Sequence, residues 1–288
     1  MSTTFPTLAV FTKNRLNPAY HLARLAADRA ALRLGARVLH YVPEKPDDLE
    51  QQIALVDEAL AARPDVFVFN PVHRTALDGA IRKVKAAGVP IVNFINRMSD
   101  PADYVSFVGA DDYDIGVRIS DRLFRELDGK GHVVILEGPA GAPTGEARVR
   151  GFLDHARTYP GIHIVGRRNG AFLEEEGRQA MEQLLDIWLH IDGVLAANHC
   201  MAAGAITALK NAGRPAKIVG VNATPEAIEA IKAGTLLATA DFNAATIAGA
   251  AAEAAVKFLR GESVPHEILL EAEIVDASNA GAFENAMT

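Results

Sequence analysis

VFVFNPVHRTALDGAIRKVKAAGVPIVNFINR, residues 66–97, carries one full period of the pattern from which this chain is built. The apolar run Val66-Phe67-Val68-Phe69 stops at Asn70-Pro71. A helical pattern over 74–87 closes at Gly88, where a helix C-cap belongs. The next apolar run, from Ile91 to Ile95, stops at Asn96-Arg97. Continuous apolar runs are strands buried on both faces, and alternating them with helices makes a parallel sheet. Ligands of such sheets sit beyond the carboxyl ends of the strands. The polar residues that punctuate each run therefore mark a binding site assembled from strand tips.

The same punctuation recurs outward in both directions. Leu8 to Phe11 runs into Thr12-Lys13-Asn14, Ser106 to Ala110 into Asp111-Asp112, and Val133 to Leu136 into Glu137-Gly138. Val194 to Ala197 stops at Asn198, Ile218 to Val221 at Asn222, and Leu236 to Ala240 at Asp241. Helical patterns fill most of the intervals, with Gly35 at another C-cap and Pro46-Asp47-Asp48 and Thr75 as helix starts. This predicts an α/β protein with two rounds of βα alternation, one before about residue 108 and one after it. The Ala-rich helix at 244–260 has no strand of its own left in the second round. Crossings near Gly109, Asp241 and Val264-Pro265 would return it to the first. The expected lobes are residues 1–108 plus 242–264 and residues 109–241 plus 265–288, with a cleft that closes about a three-crossover hinge. Glu267 to Val275 is expected to form one final extended stretch, followed by a polar tail.

Composition narrows the function. The 288 residues are 49% hydrophobic and 23% charged, which suits a full globular core. A net charge of −7 and the absence of a Lys/Arg cluster argue against nucleic acid as a partner. One cysteine, Cys200, allows no internal disulfide and no thiolate cluster, and its small neighbours predict a buried, inert thiol. No run reaches the roughly 20 apolar residues of a membrane span. The opening Met1-Ser-Thr-Thr-Phe-Pro6 has no signal-peptide character, which fits a cytosolic protein or an exported one whose leader has been removed.

Among the tips, Asn17-Pro18 is a helix start, with Asn17 as cap and Tyr20 placed to show its ring to the crevice. Arg97 offers fixed donors suited to hydroxyls or carboxylates, or else an ion pair with Asp100 or Asp103. The Gly138–Gly145 loop resembles a phosphate cradle but lacks the Lys-Ser/Thr ending and the dinucleotide glycine spacing. Arg148 and Arg150 follow it at a helix start, where the dipole disfavours them unless Arg148 has a task in the cleft. Phe172 either caps a small core or offers its face to a sugar ring. Catalytic signatures are missing: no Gly-x-Ser-x-Gly elbow, no His-Glu-x-x-His pair among the nine histidines, and no metal-ligand spacing around His199. The expectation is a protein without catalytic residues, metal or cofactor.

Taken in order, these stretches resemble the ribose/galactose family of periplasmic sugar-binding proteins over residues 7–270. The resemblance rests on Lys13…Asn17-Pro18, Asn70-Pro71, Asn96-Arg97, Val108 to Asp112…Gly116 and Glu137-Gly138…Arg148…Arg150-Gly151-Phe152. It continues through Asn198…Met201-Ala202…Gly204, Val219 to Pro225 and Ala238 to Asp241. It implies two Rossmann-like lobes of the type I periplasmic-binding-protein fold, a monomer that carries a monosaccharide or sugar alcohol to the membrane permease of an ABC transporter, and a periplasmic location. Carried over by matching motif, the ligand-binding residues are Lys13, Asn17, Tyr20, Asn96, Arg97, Arg148, Phe172, Asn198, Asn222 and Asp241. Ala19 stands where ribose binders have an aromatic, and Asn96 and Asn222 stand where they have Asp. Two arginines then face one carboxylate, Asp241, and a neutral ligand is favoured over a sugar acid. The alternative is the effector-binding part of a lactose-repressor-type transcription regulator, which shares this fold. An enzyme on a similar scaffold is the third reading.

Overall fold

The computed structural model describes residues 5–284. The first four residues, part of the signal-peptide expectation, and the last four, part of the second expected lobe, lie outside the described residues. The chain divides into two compact units, residues 1–110, 141–143 and 243–270 in the first and residues 111–140, 144–242 and 271–288 in the second.

The first unit is built on β1 (Thr7–Phe11), β2 (Arg37–Tyr41), β3 (Val66–Phe69), β4 (Ile91–Phe94), β5 (Ser106–Gly109) and β11 (Glu267–Leu269). They form a wholly parallel sheet in the order β11-β5-β4-β3-β1-β2. β1, β3, β4 and β5 are buried along their whole length, as their apolar runs require. Its helices are α1 (Pro18–Arg33), α2 (Leu49–Ala61), α3 (Asp78–Ala86) and α9 (Ala244–Leu259). A core of stacked rings, Phe11 against Tyr41 and Phe67 with centroids 5.0 Å apart, fills one side. The alanines of α9 let that helix approach α1 closely and cover β3, β4 and β5. α2 starts at the Asp48 cap, as expected, whereas residues 74–77 form turns and α3 begins at Asp78.

The second unit is built on β6 (Lys130–Glu137), β7 (Gly161–Asn169), β8 (Gly193–Ala196), β9 (Lys217–Val221), β10 (Ala238–Asp241) and β12 (Glu273–Asp276), in the order β12-β10-β9-β8-β6-β7. All pairs are parallel except β10 with β12. Its helices are α4 (Asp112–Glu126), α5 (Pro143–Ala156), α6 (Glu174–Ile187), α7 (His199–Ala212), α8 (Pro225–Lys232) and α10 (Ala280–Glu284). α6 and α7 meet at glycines: a Cβ on Gly204 would lie 2.2 Å from the Glu174 carbonyl oxygen, so only glycine permits this approach.

The boundaries differ from expectation in several places: residues 109–110 and 141–143, expected in the second lobe, lie in the first unit, and Phe242, expected in the first, lies in the second. Residues 265–270, expected in the second lobe, belong to the first unit. The free edge of β5 needs backbone partners, and β11 with its flanking residues supplies them: the Phe107 N–H donates to the His266 carbonyl at 2.9 Å and the Leu270 N–H to the Gly109 carbonyl at 2.8 Å, while the Ser106 hydroxyl donates to the Pro265 carbonyl at 2.7 Å. The expected single extended stretch is thus two strands in two different sheets, and the chain leaves the first unit after Leu270.

Candidate functional site

Strand order reverses about β1 in the first sheet and about β6 in the second, and at such switch points the loops diverge and leave a crevice. In the first unit the loops after β1 and β3 flank that point. The β1 loop folds upon itself: Asn17 donates its N–H to Asn14 Oδ1 (2.9 Å) and accepts the Ala19 N–H on its own Oδ1 (3.0 Å), capping α1. Lys13 is buried, its Nζ 2.7 Å from Asp47 Oδ1 and 5.9 Å from the centroid of the Tyr20 ring. Burial alone would lower the Lys13 pKa, but Asp47 and Tyr20 outweigh it and hold the value above the usual 10.5.

The tips of β3 and β4 are bolted together by amides. Asn93 Nδ2 donates to the carbonyls of Phe69 (2.9 Å) and Asn96 (2.8 Å), and Asn96 Nδ2 donates to the Pro71 carbonyl (2.7 Å). The Asn96 N–H reaches Asn70 Oδ1 at 3.1 Å. Two buried atoms of this network, Asn70 Nδ2 and Asn96 Oδ1, have no hydrogen-bond partner among the described residues. Ile95, just before Asn96, has φ of 57°, an outlier for a β-branched residue and the kind of strain that collects at binding sites. Arg97 stands apart, half-exposed. Its guanidinium lies 3.8 Å from the centroid of Phe107 and is ion-paired with Glu267. The expected partners are not used, since Asp103 pairs with Lys85.

In the second unit Arg148 occupies the second turn of α5, which begins at Pro143, and is 3% exposed. Its Nε and Nη2 reach Asp112 Oδ1 at 2.8 and 2.7 Å, its Nη1 donates to the Ala197 carbonyl at 2.8 Å, and its guanidinium lies 5.3 Å from the centroid of Phe242. Phe172, with φ of 62°, turns its ring into space kept open by glycine: a Cβ on Gly138 would sit 2.2 Å from that ring and one on Gly145 2.8 Å. Those two glycines of the loop that resembled a phosphate cradle form the seat of an aromatic ring. Asn198 caps α7 and donates Nδ2 to the Phe172 carbonyl at 2.9 Å. Asn222, φ 82°, is buried with its Oδ1 unpartnered, while its N–H donates to the Ala240 carbonyl at 2.9 Å. Asp241 ends β10, half-buried, opposite Glu273 of β12.

Beside this set, burial lowers the pKa of His199, Glu226 offsetting part of the effect, and pushes the Cys200 thiol up to about 11, too high for a reactive thiolate. No group of three or more His, Cys, Asp or Glu among the described residues could hold a metal ion.

The structure overturns the charge balance inferred from sequence. Arg97 and Arg148 do not share Asp241 as their one carboxylate: Glu267 serves the first and Asp112 the second, while Asp47 serves Lys13. Sequence reasoning missed Asn70, Asp112 and Phe242. Asn70 carried a usable signal, since it ends an apolar run just as Asn96 does. Asp112 carried a similar one, standing where the run from Ser106 to Ala110 stops, whereas Phe242 carried none, because its task depends on Arg148, distant in sequence.

Known proteins share this architecture. Residues 8–263 match the family described as periplasmic binding protein domain. The chain is 31% identical over 278 residues to the D-apiose import binding protein of Actinobacillus succinogenes, covering 95% of this chain and 89% of that one. Its fold is similar to that of an ABC transporter periplasmic solute binding protein from the same organism with bound D-allose (TM-score 0.90, 29% identity, 96% and 99% of the two chains covered). It is likewise similar to an ABC transporter solute binding protein from Bacillus halodurans with bound myo-inositol (TM-score 0.90, 26% identity, 99% of each chain covered). With a family match that spans nearly the whole chain, and the two-sheet architecture already described, this chain belongs to the periplasmic binding protein domain family.

Proposed function

We propose that this protein is the solute-binding component of an ABC transporter, that its ligand is an uncharged monosaccharide or sugar alcohol, and that it delivers this ligand to a membrane permease from the periplasm. The observation that carries the ligand class is the division of labour among the strand-tip groups. Every cation of the set already has a carboxylate of its own unit. Among the strand-tip asparagines, Asn70 Nδ2, Asn96 Oδ1 and Asn222 Oδ1 are buried without a hydrogen-bond partner among the described residues, as are the neutral groups His199 Nδ1 and Thr239 Oγ1. A buried amide without a partner costs about 1–3 kcal/mol, and a hydroxyl, which both donates and accepts, suits each of them. The bound allose and myo-inositol of the structural relatives are compounds of this kind.

Lys13, Asn17, Tyr20, Asn96 and Arg97 of the first unit and Arg148, Phe172, Asn198, Asn222 and Asp241 of the second are the proposed ligand contacts, with Asn70 added. One ligand would draw on both units, and its binding would close the hinge. The test is a thermal-shift screen over D-allose, D-ribose, D-apiose, xylitol and myo-inositol, followed by calorimetric titration of the strongest. Stabilisation should grow with ligand excess, reaching about 2.7 kcal/mol at a hundredfold excess over Kd. Failure of every neutral sugar and polyol to shift the melting temperature, with a charged or non-sugar compound doing so, would refute the ligand class.

A further inference from the structure

We infer that Asp112 is a positioning and specificity-determining residue: it holds Arg148 for neutral hydroxyls and turns acidic ligands away. This rests on the reading of the strand tips as a sugar site. Two acids stand side by side where α4 begins, and they do different work. Asp111 is the cap, its Oδ1 accepting the N–H groups of Tyr113 and Asp114 at 3.0 and 3.1 Å. Asp112 is therefore not needed for capping, and its Oδ1 takes both Nε and Nη2 of Arg148. The helix N-terminus favours the negative charge there.

The approach that joins them is built in. A Cβ on Gly116 would lie 2.3 Å from the Arg148 carbonyl oxygen, and one on Gly151 2.4 Å from that of Tyr113, so α4 and α5 pack at glycine distance. The Phe242 ring supports the guanidinium and the Ala197 carbonyl fixes Nη1. Of the five N–H donors of an arginine, two make hydrogen bonds here, Nε to Asp112 Oδ1 and Nη1 to the Ala197 carbonyl, and Nη2 is ion-paired with Asp112 Oδ1; the second N–H of Nη1 and the outward N–H of Nη2 make no hydrogen bond among the described residues.

That arrangement discriminates by charge. Sugar hydroxyls can accept the two remaining N–H groups at no electrostatic cost. A ligand carboxylate at the same place would bring a second anion onto a guanidinium already neutralised by Asp112, in a buried site where like charges interact strongly. Removing the charge of Asp112 without changing its shape should free Arg148 for a bidentate bond to an acid.

The experiment is calorimetric titration of the wild type and Asp112→Asn with D-allose, D-ribose, xylitol and myo-inositol and with the acids D-allonate, D-ribonate and D-glucuronate. The wild type is expected to bind its best neutral ligand more tightly than any acid. In Asp112→Asn the ratio of the best neutral to the best acid affinity is expected to fall by about tenfold or more, the gain being weakened by salt. If Asp112→Asn does not fold, Asp112→Ser, with a side chain suited to a helix start, is read in the same way. An unchanged ratio in a folded variant overturns the inference and leaves the sugar-binding reading intact. A wild type that prefers an acid, or binds none of the panel, overturns both.

Discussion

Lys13→Met removes the cation of a buried ion pair and leaves its carboxylate behind. The two side chains are 2% and 9% exposed and 2.7 Å apart. At an effective dielectric constant of about 20 the gross attraction at that distance is about 6 kcal/mol, most of it offset by the cost of taking both charges out of water. Removing one partner of such a pair costs about 3–5 kcal/mol. Asp47 keeps a hydrogen bond from Asn14 Nδ2 at 3.0 Å, so the lower end, about 3 kcal/mol, is expected. Asp47→Asn preserves the shape and tolerates the local φ of 54°, while stranding the ammonium.

Urea denaturation of the wild type, both single variants and the double variant gives a coupling energy, expected at about 2 kcal/mol, with the double variant more stable than Lys13→Met. The pH dependence has a definite sign. The folded pKa of Lys13 lies above the ordinary 10.5, so its stabilisation is complete below that pH and is lost as pH rises through the raised value. Wild type should therefore lose its advantage over Lys13→Met on the alkaline side only. Single-variant losses under about 1 kcal/mol with no coupling would show that the pair behaves as a solvated surface pair, refuting the argument.

Asn222→Gly should relieve the strain of φ 82° and raise stability by about 0.5–1 kcal/mol while weakening sugar binding by about 0.5–1.5 kcal/mol, as melting and titration would show. Gly204→Ala places a methyl 2.2 Å from the Glu174 carbonyl oxygen and should cost about 1–3 kcal/mol; an unchanged melting temperature would contradict the close α6–α7 approach. Small-angle scattering with saturating ligand should give a smaller radius of gyration than without it, and equal radii with binding independently confirmed would exclude hinge closure.

The sheets were legible from residue order because burial on both faces leaves a local mark, an unbroken apolar run such as Val66–Phe69 or Val133–Leu136. The amides at the tips were legible for the same reason: a polar group that abruptly ends such a run, as Asn96, Asn198 and Asn222 do, has been placed where the strand stops. The ion pairs had no such mark. Arg97 meets a carboxylate 170 residues away and Arg148 one 36 residues away, while nearer acids such as Asp100 and Glu146 are passed over. The ring of Phe172 likewise finds its seat between Gly138 and Gly145 only once β6 and β7 lie side by side. Periodicity records which face of an element is buried, so the sequence by itself determined the elements and the polar edge of each sheet. Which charge neutralises which depends on distances that exist only after the elements have packed, so the pairing of Lys13 with Asp47, Arg97 with Glu267 and Arg148 with Asp112 was decided by the tertiary structure alone.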